Sequence, residues 1–331
     1  MPTVDLHNHV IPQTIVDAIA ATPERFTARI DRSGPITKII HEQGYAYPLF
    51  PEFVDVAAKI ESMDRRKIDI AVLSTAPTMY FYWADAATAA DAARLINDGI
   101  AAMVAQRPDR LRGMGTLPMQ DPAAAVRELE RCVNLYDFRA IEIGTSVEGV
   151  QLSDERYRPL LRRAEELGVF IFAHPYFVGD KCGLEPYYMT NLVGNPLETT
   201  TMVAHLAFSG RLDEMKDLKI LLAHGGGFMP YQIGRLTHGH AVRPEPKAKS
   251  PTSPLVHAKR FYYDTITHYP PALRYLIDMV GADHIAIGTD APFDMGLEHP
   301  VDVVDAIPGI TAAERHQLCC GTAFKLLREK S

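Results

Sequence analysis

Short apolar runs alternate with amphipathic stretches almost from one end of the chain to the other. The runs are Val4–Leu6, Ile68–Ser74, Leu111–Leu117, Ala140–Gly144, Val169–Ala173, Ile220–Ala223, Phe261–Tyr263 and His284–Gly288, each mostly hydrophobic, as a parallel strand covered on both faces must be. Two of the intervening helices have readable ends. Asp121-Pro122 supplies an N-cap and a first-turn proline, after which Val126, Leu129, Cys132 and Val133 recur at helical spacing on one face. The next helix begins after Ser153 and gathers Leu160, Leu161, Ala164 and Leu167 on one face. It stops at Gly168, suited to a left-handed C-cap, and the chain turns at once into Val169–Ala173. Such βαβ units build either an open doubly wound sheet or a closed barrel. No glycine-rich dinucleotide fingerprint follows the first strand, so the pattern predicts one α/β domain over residues 1–331, a (β/α)8 TIM barrel.

Two stretches break the repeat, and both would extend from the C-terminal ends of the strands, where barrel active sites are built. Residues 11–52, with proline, glycine and aromatics concentrated near Tyr45–Phe53, read as a small inserted N-terminal cap. Residues 175–198, carrying Tyr176, Phe177, Tyr187 and Tyr188 directly after the fifth strand, read as a lid. The proline- and lysine-rich segment Arg243–Pro254 reads as a solvated loop.

Composition narrows the class. With 47% hydrophobic and 23% charged residues in 331, the chain is neither disordered nor low-complexity. A net charge of −7 leaves no electrostatic footprint for nucleic acid. No apolar run is long enough to span a bilayer, and Met1–Val10 carries Asp5, His7 and His9 where a signal peptide needs an apolar core, which predicts a protein without a membrane partner. Cys132, Cys182, Cys319 and Cys320 show neither CxxC spacing nor the density of a disulfide framework, so a reducing, cytoplasmic setting is expected.

The candidate chemistry lies at the strand ends. In His7-Asn8-His9 both imidazoles project to one face of an extended segment while Asn8 points away. By itself the motif is as well explained by two loop histidines. His174, His224 and Asp290 stand at the ends of the fifth, sixth and eighth runs, where a bland core would continue apolar, and a closed barrel would bring all five to one mouth. Imidazole plus carboxylate suits Zn²⁺, Mn²⁺, Fe²⁺ or Co²⁺ rather than Mg²⁺ or Ca²⁺, with Zn²⁺ the first choice and Mn²⁺ next. A catalytic site keeps an open position, so one of the five should stay off the metal. His224 takes that role, because Gly225-Gly226-Gly227 behind it allows close approach and could offer amide N–H groups to an anion; a tight turn would call for the same glycines. His238 and His240 form a second HxH, but one lacking a preceding strand. Asp264, at the end of the seventh run, reads as a hydrogen-bonding partner of a neighbouring loop.

Longer segments add specificity: Met63-Asp64 leading into Ala71–Thr75, Tyr82-Trp83-Ala84, Gly115–Gln120, Glu130–Val133, Leu192–Thr201, Ala223–Gly227, Gly234–Gly239 and Gly288–Phe293. Through them most of the chain resembles the amidohydrolase superfamily, in the branch of aminocarboxymuconate semialdehyde decarboxylase and related metal-dependent decarboxylases. The resemblance implies that His7, His9, His174 and Asp290 hold the metal and that His224 is the neighbouring acid/base residue. It also implies that Arg235 reaches the substrate carboxylate of the adjoining subunit in a homodimer. A surface ion pair is the plain alternative for Arg235. Where the family carries a second carboxylate-binding arginine this chain has His41, and a lid tryptophan is missing near Tyr188–Asn191.

The expectation that follows is non-oxidative decarboxylation of a small unsaturated or aromatic acid. Asp290 would double as a proton donor, and Arg235, His41 and Tyr176 would meet the substrate. The same water-activating site could serve a hydrolase or hydratase, and a binding protein with a degenerate site is the reading from a different class.

Overall fold

The computed structural model describes residues 1–176 and 183–330; Phe177 and Cys182 lie outside the described residues. Eight parallel strands follow one another in chain order: β1 Val4–Val10, β2 Ile70–Thr75, β3 Leu111–Thr116, β4 Ala140–Gly144, β5 Phe170–His174, β6 Ile220–Leu222, β7 Tyr262–Asp264 and β8 Ile285–Ala286. The circle closes where β8 and the residues after it meet β1, through Leu6 N to Ile287 O at 2.9 Å and His9 N to Ala291 O at 2.8 Å. This is a (β/α)8 barrel.

Alternation along each strand sorts its residues into two cores. Val4, Leu6, Val72, Met114, Ala140, Phe170, Phe172, Leu221 and Ala286 form one buried cluster from residues of a single parity on each strand, the filling of the barrel. The final helix, Thr322–Leu327, packs Ala323, Phe324 and Leu327 into the same cluster. The opposite parity, with Leu73, Ile141, Ile143 and Ile171 among it, packs against the surrounding helices. Leu129 and Cys132 of the helix Pro122–Tyr136 and Leu160, Leu161 and Ala164 of Arg158–Leu167 belong to that second layer. Asp121 caps the first helix by accepting from Ala123 N and Ala124 N, and Gly168 ends the second with φ of 61°.

Residues 11–52 fold into the helices Gln13–Ala21 and Pro23–Phe26 and a three-stranded antiparallel sheet of Ala28–Asp31, Lys38–His41 and Ala46–Pro48. Within 175–198 the described part makes a short turn at Pro186–Tyr188 and a wide turn at Thr190–Gly194, then enters the helix Asn195–Phe208, so the segment's last residues already belong to the barrel's outer layer.

The segment Arg243–Pro254 is largely exposed, as expected, but it includes a helical turn at Pro244–Lys247 and is anchored at Ser250. Ser250 is fully buried. Its Oγ donates to Asp213 Oδ2 at 2.5 Å, and its carbonyl faces His240 Nε2 at 2.9 Å. A polar serine among prolines gives no hydropathy signal for such an anchor. His240 is thereby committed at the end of a helix, Met229–Val242, on which two residues two apart point to different sides, so His238 and His240 cannot share an ion.

Candidate active site

Three histidines and one aspartate meet above the barrel filling. The ligand-capable atoms of His7, His9, His174 and Asp290 lie within 4.8 Å of one another, and all four residues are buried. His7 Nε2 is 3.1 Å from His9 Nε2 and 3.3 Å from Asp290 Oδ1, and His9 Nε2 is 3.1 Å from the same oxygen. Four donors at about 2.0–2.1 Å from a tetrahedral Zn²⁺ would stand roughly 3.3 Å from each other, so this spacing fits one first-row cation.

The ring orientations point the same way. Each of these histidines has Nδ1 engaged: His7 with Asp264 Oδ2 at 2.7 Å, His9 with the Thr75 carbonyl at 3.0 Å, His174 with the Pro175 carbonyl at 2.5 Å. A proton on Nδ1 leaves the Nε2 lone pair free and turned inward, as in histidines that ligate metals. Among the described residues His174 Nε2 is buried without a hydrogen-bond partner, and Asp290 Oδ1 is buried against the Nε2 atoms of His7 and His9, so the convergence is polar, desolvated and incompletely satisfied by protein alone. Without a cation the charges lean on one another. Burial alone would lower the pKa of His7, but the carboxylates of Asp290 and Asp264 raise it to about 10. Burial would raise that of Asp290, but the surrounding imidazoles hold it well below the usual range. His174 is pushed down by burial and by the other imidazoles.

Local sequence explains how the strands deliver these side chains. The register of β1 slips between Asp5 and Asn8, a β-bulge that leaves His7 N outside the ladder. Asp5 Oδ1 accepts from that amide at 3.0 Å and from Thr289 N at 3.1 Å, while Oδ2 accepts from Thr289 Oγ1 at 2.7 Å, tying the strand of His7 to the turn of Asp290. Lys59 is fully enclosed and donates to the His9 carbonyl at 2.8 Å; burial pushes its pKa down to about 8. Beneath the site, buried Glu142 accepts from Tyr80 Oη at 2.5 Å and lies 3.9 Å from His9 Nδ1.

His224 is set apart from the four. It is absent from the four-residue convergence although its ring stands 5.0 Å from that of His174, the same distance that separates the rings of His7 and His174; its Nε2 faces Asp290 Oδ2 at 3.5 Å, while Nδ1 has no hydrogen-bond partner among the described residues. It is less buried than the four, with a side chain 18% exposed. His224 and Asp290 both have positive φ, 54° and 57°, a region that residues other than glycine enter only when their surroundings force them. In the triglycine turn a Cβ on Gly225 would stand 2.7 Å from Thr267 Cγ2, and one on Gly227 2.3 Å from the Pro196 carbonyl oxygen. The amides here do not serve an anion from outside. His224 N and Gly225 N donate to the Asp264 carboxylate, Gly226 N to Ala223 O and Gly227 N to His224 O. The buried Asp264 needs those donors, and the turn supplies them.

A cavity of about 100 Å³ opens over His174, His224 and Asp290, lined further by Tyr47, Thr78, Tyr176, Tyr188, Asn191 and Asn195. A wider apolar cleft of about 780 Å³ adjoins it and shares His224, Asn191, Asn195 and Met295. Tyr176 thus stands at the cavity, its Oη 3.0 Å from Glu148 Oε1. His41 does not line it. Its ring is buried among Tyr45, Tyr47, Phe81 and Trp83, with neither nitrogen hydrogen-bonded among the described residues, and burial holds its pKa down to about 4. Arg235 is exposed on the helix Met229–Val242 and pairs with none of the described residues. Sequence reasoning passed over Asp5, Lys59 and Glu142. The signal for Lys59 was a lysine on the face that Val56, Ile60 and Met63 make apolar, and that for Glu142 a carboxylate inside the run Ala140–Gly144.

Comparison with known proteins places this geometry in company. The family model described as "Amidohydrolase" matches residues 4–328. The chain is 31% identical over 326 residues to 2-amino-3-carboxymuconate-6-semialdehyde decarboxylase of Dictyostelium discoideum, covering 98% of this chain and 91% of the relative. It is 30% identical over 294 residues to gamma-resorcylate decarboxylase of Polaromonas sp., covering 82% and 86%. Among solved structures it is similar to a dihydroxybenzoic acid decarboxylase from Polaromonas sp. holding manganese and 2-nitroresorcinol. The TM-score is 0.81 at 26% identity, over 99% of this chain and 97% of the other.

Proposed function

We propose, from the premise that this chain belongs to the amidohydrolase family, that it is a metal-dependent non-oxidative decarboxylase, a carbon–carbon lyase acting on a small aromatic or unsaturated carboxylic acid. The observation that carries this reading is the convergence of three Nε2 atoms and one carboxylate in a chain whose relatives on either side of the substrate range are decarboxylases. His7, His9, His174 and Asp290 are the proposed ligands, with Zn²⁺ the first candidate and Mn²⁺ the next; manganese in a similar structure supports a first-row ion. Bound there, the ion supplies Lewis acidity toward a substrate oxygen and lowers the pKa of a bound water.

The protein's own groups handle orientation and the proton. Breaking the bond to the carboxyl group leaves its electron pair on carbon, to be delocalised into a conjugated carbonyl, imine or ring of the substrate. A proton must reach that carbon as CO2 departs. His224 holds and moves this proton at Nε2, since it borders the cavity and its other nitrogen has no hydrogen-bond partner among the described residues. Asp290 Oδ2, facing it at 3.5 Å, is the partner in the transfer. Tyr176 contacts the substrate from the cavity wall, and the phenols and amides around it offer hydrogen bonds to ring hydroxyls. His41 acts on the substrate through Tyr47, which packs against it and lines the cavity; being uncharged, His41 offers no ion pair to a second carboxylate.

Arg235 is assigned to the carboxylate of substrate in the adjoining subunit of a homodimer. Exposed Phe228, Tyr231, Tyr269 and Tyr275 around the apolar cleft support a buried interface there, and Tyr231 and Arg235 lie one turn apart on the same helix. We place the protein in the cytoplasm, where the free, buried Cys132, Cys319 and Cys320 stay reduced; among the described residues no helix is long and apolar enough to cross a membrane.

The reaction class is tested by incubating metal-loaded protein with a panel of hydroxybenzoic and conjugated acids in ¹⁸O-water. Stoichiometric CO2 with no label in the organic product is the expected result; label in the product without CO2 would replace the reading with hydrolysis or hydration. The shared site is tested by mixing two inactive variants, Arg235→Ala and His224→Ala. Heterodimers make up half of an equal mixture and each holds one intact site, so activity should recover to about a quarter of wild type. No recovery after subunit exchange would confine the site to one chain.

A further inference from the structure

Asp264 contacts two elements of the site at once. Its carboxylate is fully buried and accepts four hydrogen bonds: on Oδ2 from His7 Nδ1 at 2.7 Å and His224 N at 2.8 Å, on Oδ1 from Gly225 N at 2.8 Å and Ile266 N at 3.0 Å. The first bond fixes which nitrogen of His7 carries the proton, and hence which one turns toward the other ligands. The second and third hold the backbone where His224 and Gly225 take positive φ, 54° and 61°. A histidine stays in that conformation only while its surroundings over-determine it, and here the end of β7 does so. The ring of His224 borders the cavity because its backbone turns there.

We propose that Asp264 is the positioning residue that couples His7 to His224, setting the ligating tautomer of one and the place of the other through a single carboxylate. This rests on the reading of His7 as ligand and His224 as proton carrier, and gives the strand-end aspartate a part in turnover without contact with the substrate. An amide cannot do the same. Asparagine presents one oxygen and one NH2 group, so at least two of the four donors lose their acceptor whichever way it is turned.

The test uses Co²⁺ as probe. In Asp264→Asn, shown to be folded by circular dichroism and a cooperative melt, Co²⁺ affinity is expected to fall about 10- to 100-fold. At full loading the visible Co²⁺ absorption should shift, and kcat should drop at least tenfold with KM within threefold. A residue that only capped the loop would lower the melting temperature and leave affinity and spectrum alone, and that result overturns the proposal. A second measurement needs no variant at this position. In Zn²⁺-loaded wild type with ¹⁵N-labelled histidine, the His7 ring, assigned through His7→Gln, should carry its proton on Nδ1; a proton on Nε2 overturns the proposal equally. Failure of the decarboxylase reading would show instead as absence of CO2 release from wild type, leaving the tautomer and the Co²⁺ affinity to decide the role of Asp264.

Discussion

Exhaustive dialysis against a chelator is expected to silence the enzyme, and Zn²⁺ or Mn²⁺ added back in stoichiometric amount to restore it. The loss should reach at least a hundredfold, because Lewis-acid stabilisation contributes several kcal/mol and each ~1.4 kcal/mol is a factor of ten in rate. The reason lies in the site itself. Among the described residues His174 Nε2 is buried without a hydrogen-bond partner, Asp290 Oδ1 is buried against the Nε2 atoms of His7 and His9, and three imidazoles are turned so that their lone pairs face one point. The measurement is CO2 release alongside metal content by mass spectrometry, before and after reconstitution. Full turnover in protein holding less than a tenth of an equivalent of metal would remove the ion from the reaction. Asp290→Ala should reproduce the dialysed state, with one difference: added metal would not rescue it.

His224→Ala is expected to separate binding from turnover. The ring of His224 stands outside the four-residue convergence, so the variant should hold metal with wild-type stoichiometry. Its rate should nevertheless fall by roughly 10²–10⁴, the range for loss of a positioned acid or base. The backbone gives a further reason to expect the fold to survive. The two amide bonds to Asp264 come from His224 N and Gly225 N, and an alanine keeps both, giving up only the imidazole. Single-turnover measurements at saturating substrate, paired with metal analysis, check it. Loss of the metal together with activity would move His224 into the ligand set, and unchanged kcat would discharge it from proton transfer.

Much of this arrangement was legible in the chain because barrels use strands in order. Eight apolar runs are eight strands, and the polar residue that ends a run is the residue at the mouth. Seven of the runs drifted by two positions at most, but the first, Val4–Leu6, continues to Val10 and so takes both His7 and His9 into the strand, and the eighth shortened at both ends. There the run His284–Gly288 holds a ladder only over Ile285–Ala286 before the chain bends toward Asp290. His7, His9, His174 and Asp290 could be seen as candidates because each is a polar residue where hydrophobicity predicts none. The supports were harder to see. Asp264 was visible as a hydrogen-bonding residue, but its engagement with His7 links positions 257 residues apart, and no local pattern encodes such a pair. The amides after His224 looked available because glycine suggests anion binding, whereas a buried carboxylate from the next strand had already claimed that of Gly225, together with His224's own, and backbone carbonyls the other two. His41 was expected near substrate and instead sits one ring behind the cavity wall, since four aromatics of the cap and of the loop after β2 close around it.

The seam where β8 returns to β1 carries a last implication, for the order of events during synthesis. The first strand leaves the ribosome with two imidazoles, the fifth adds a third, and the lone carboxylate of the set arrives only when nearly the whole polypeptide has emerged. A nascent chain stalled before that turn presents histidines without their anion, and Asp5 without Thr289 to clasp. Tight capture of the cation therefore waits for the final segment to dock, so ion uptake in a translation reaction should mark completed molecules and pass over truncated ones.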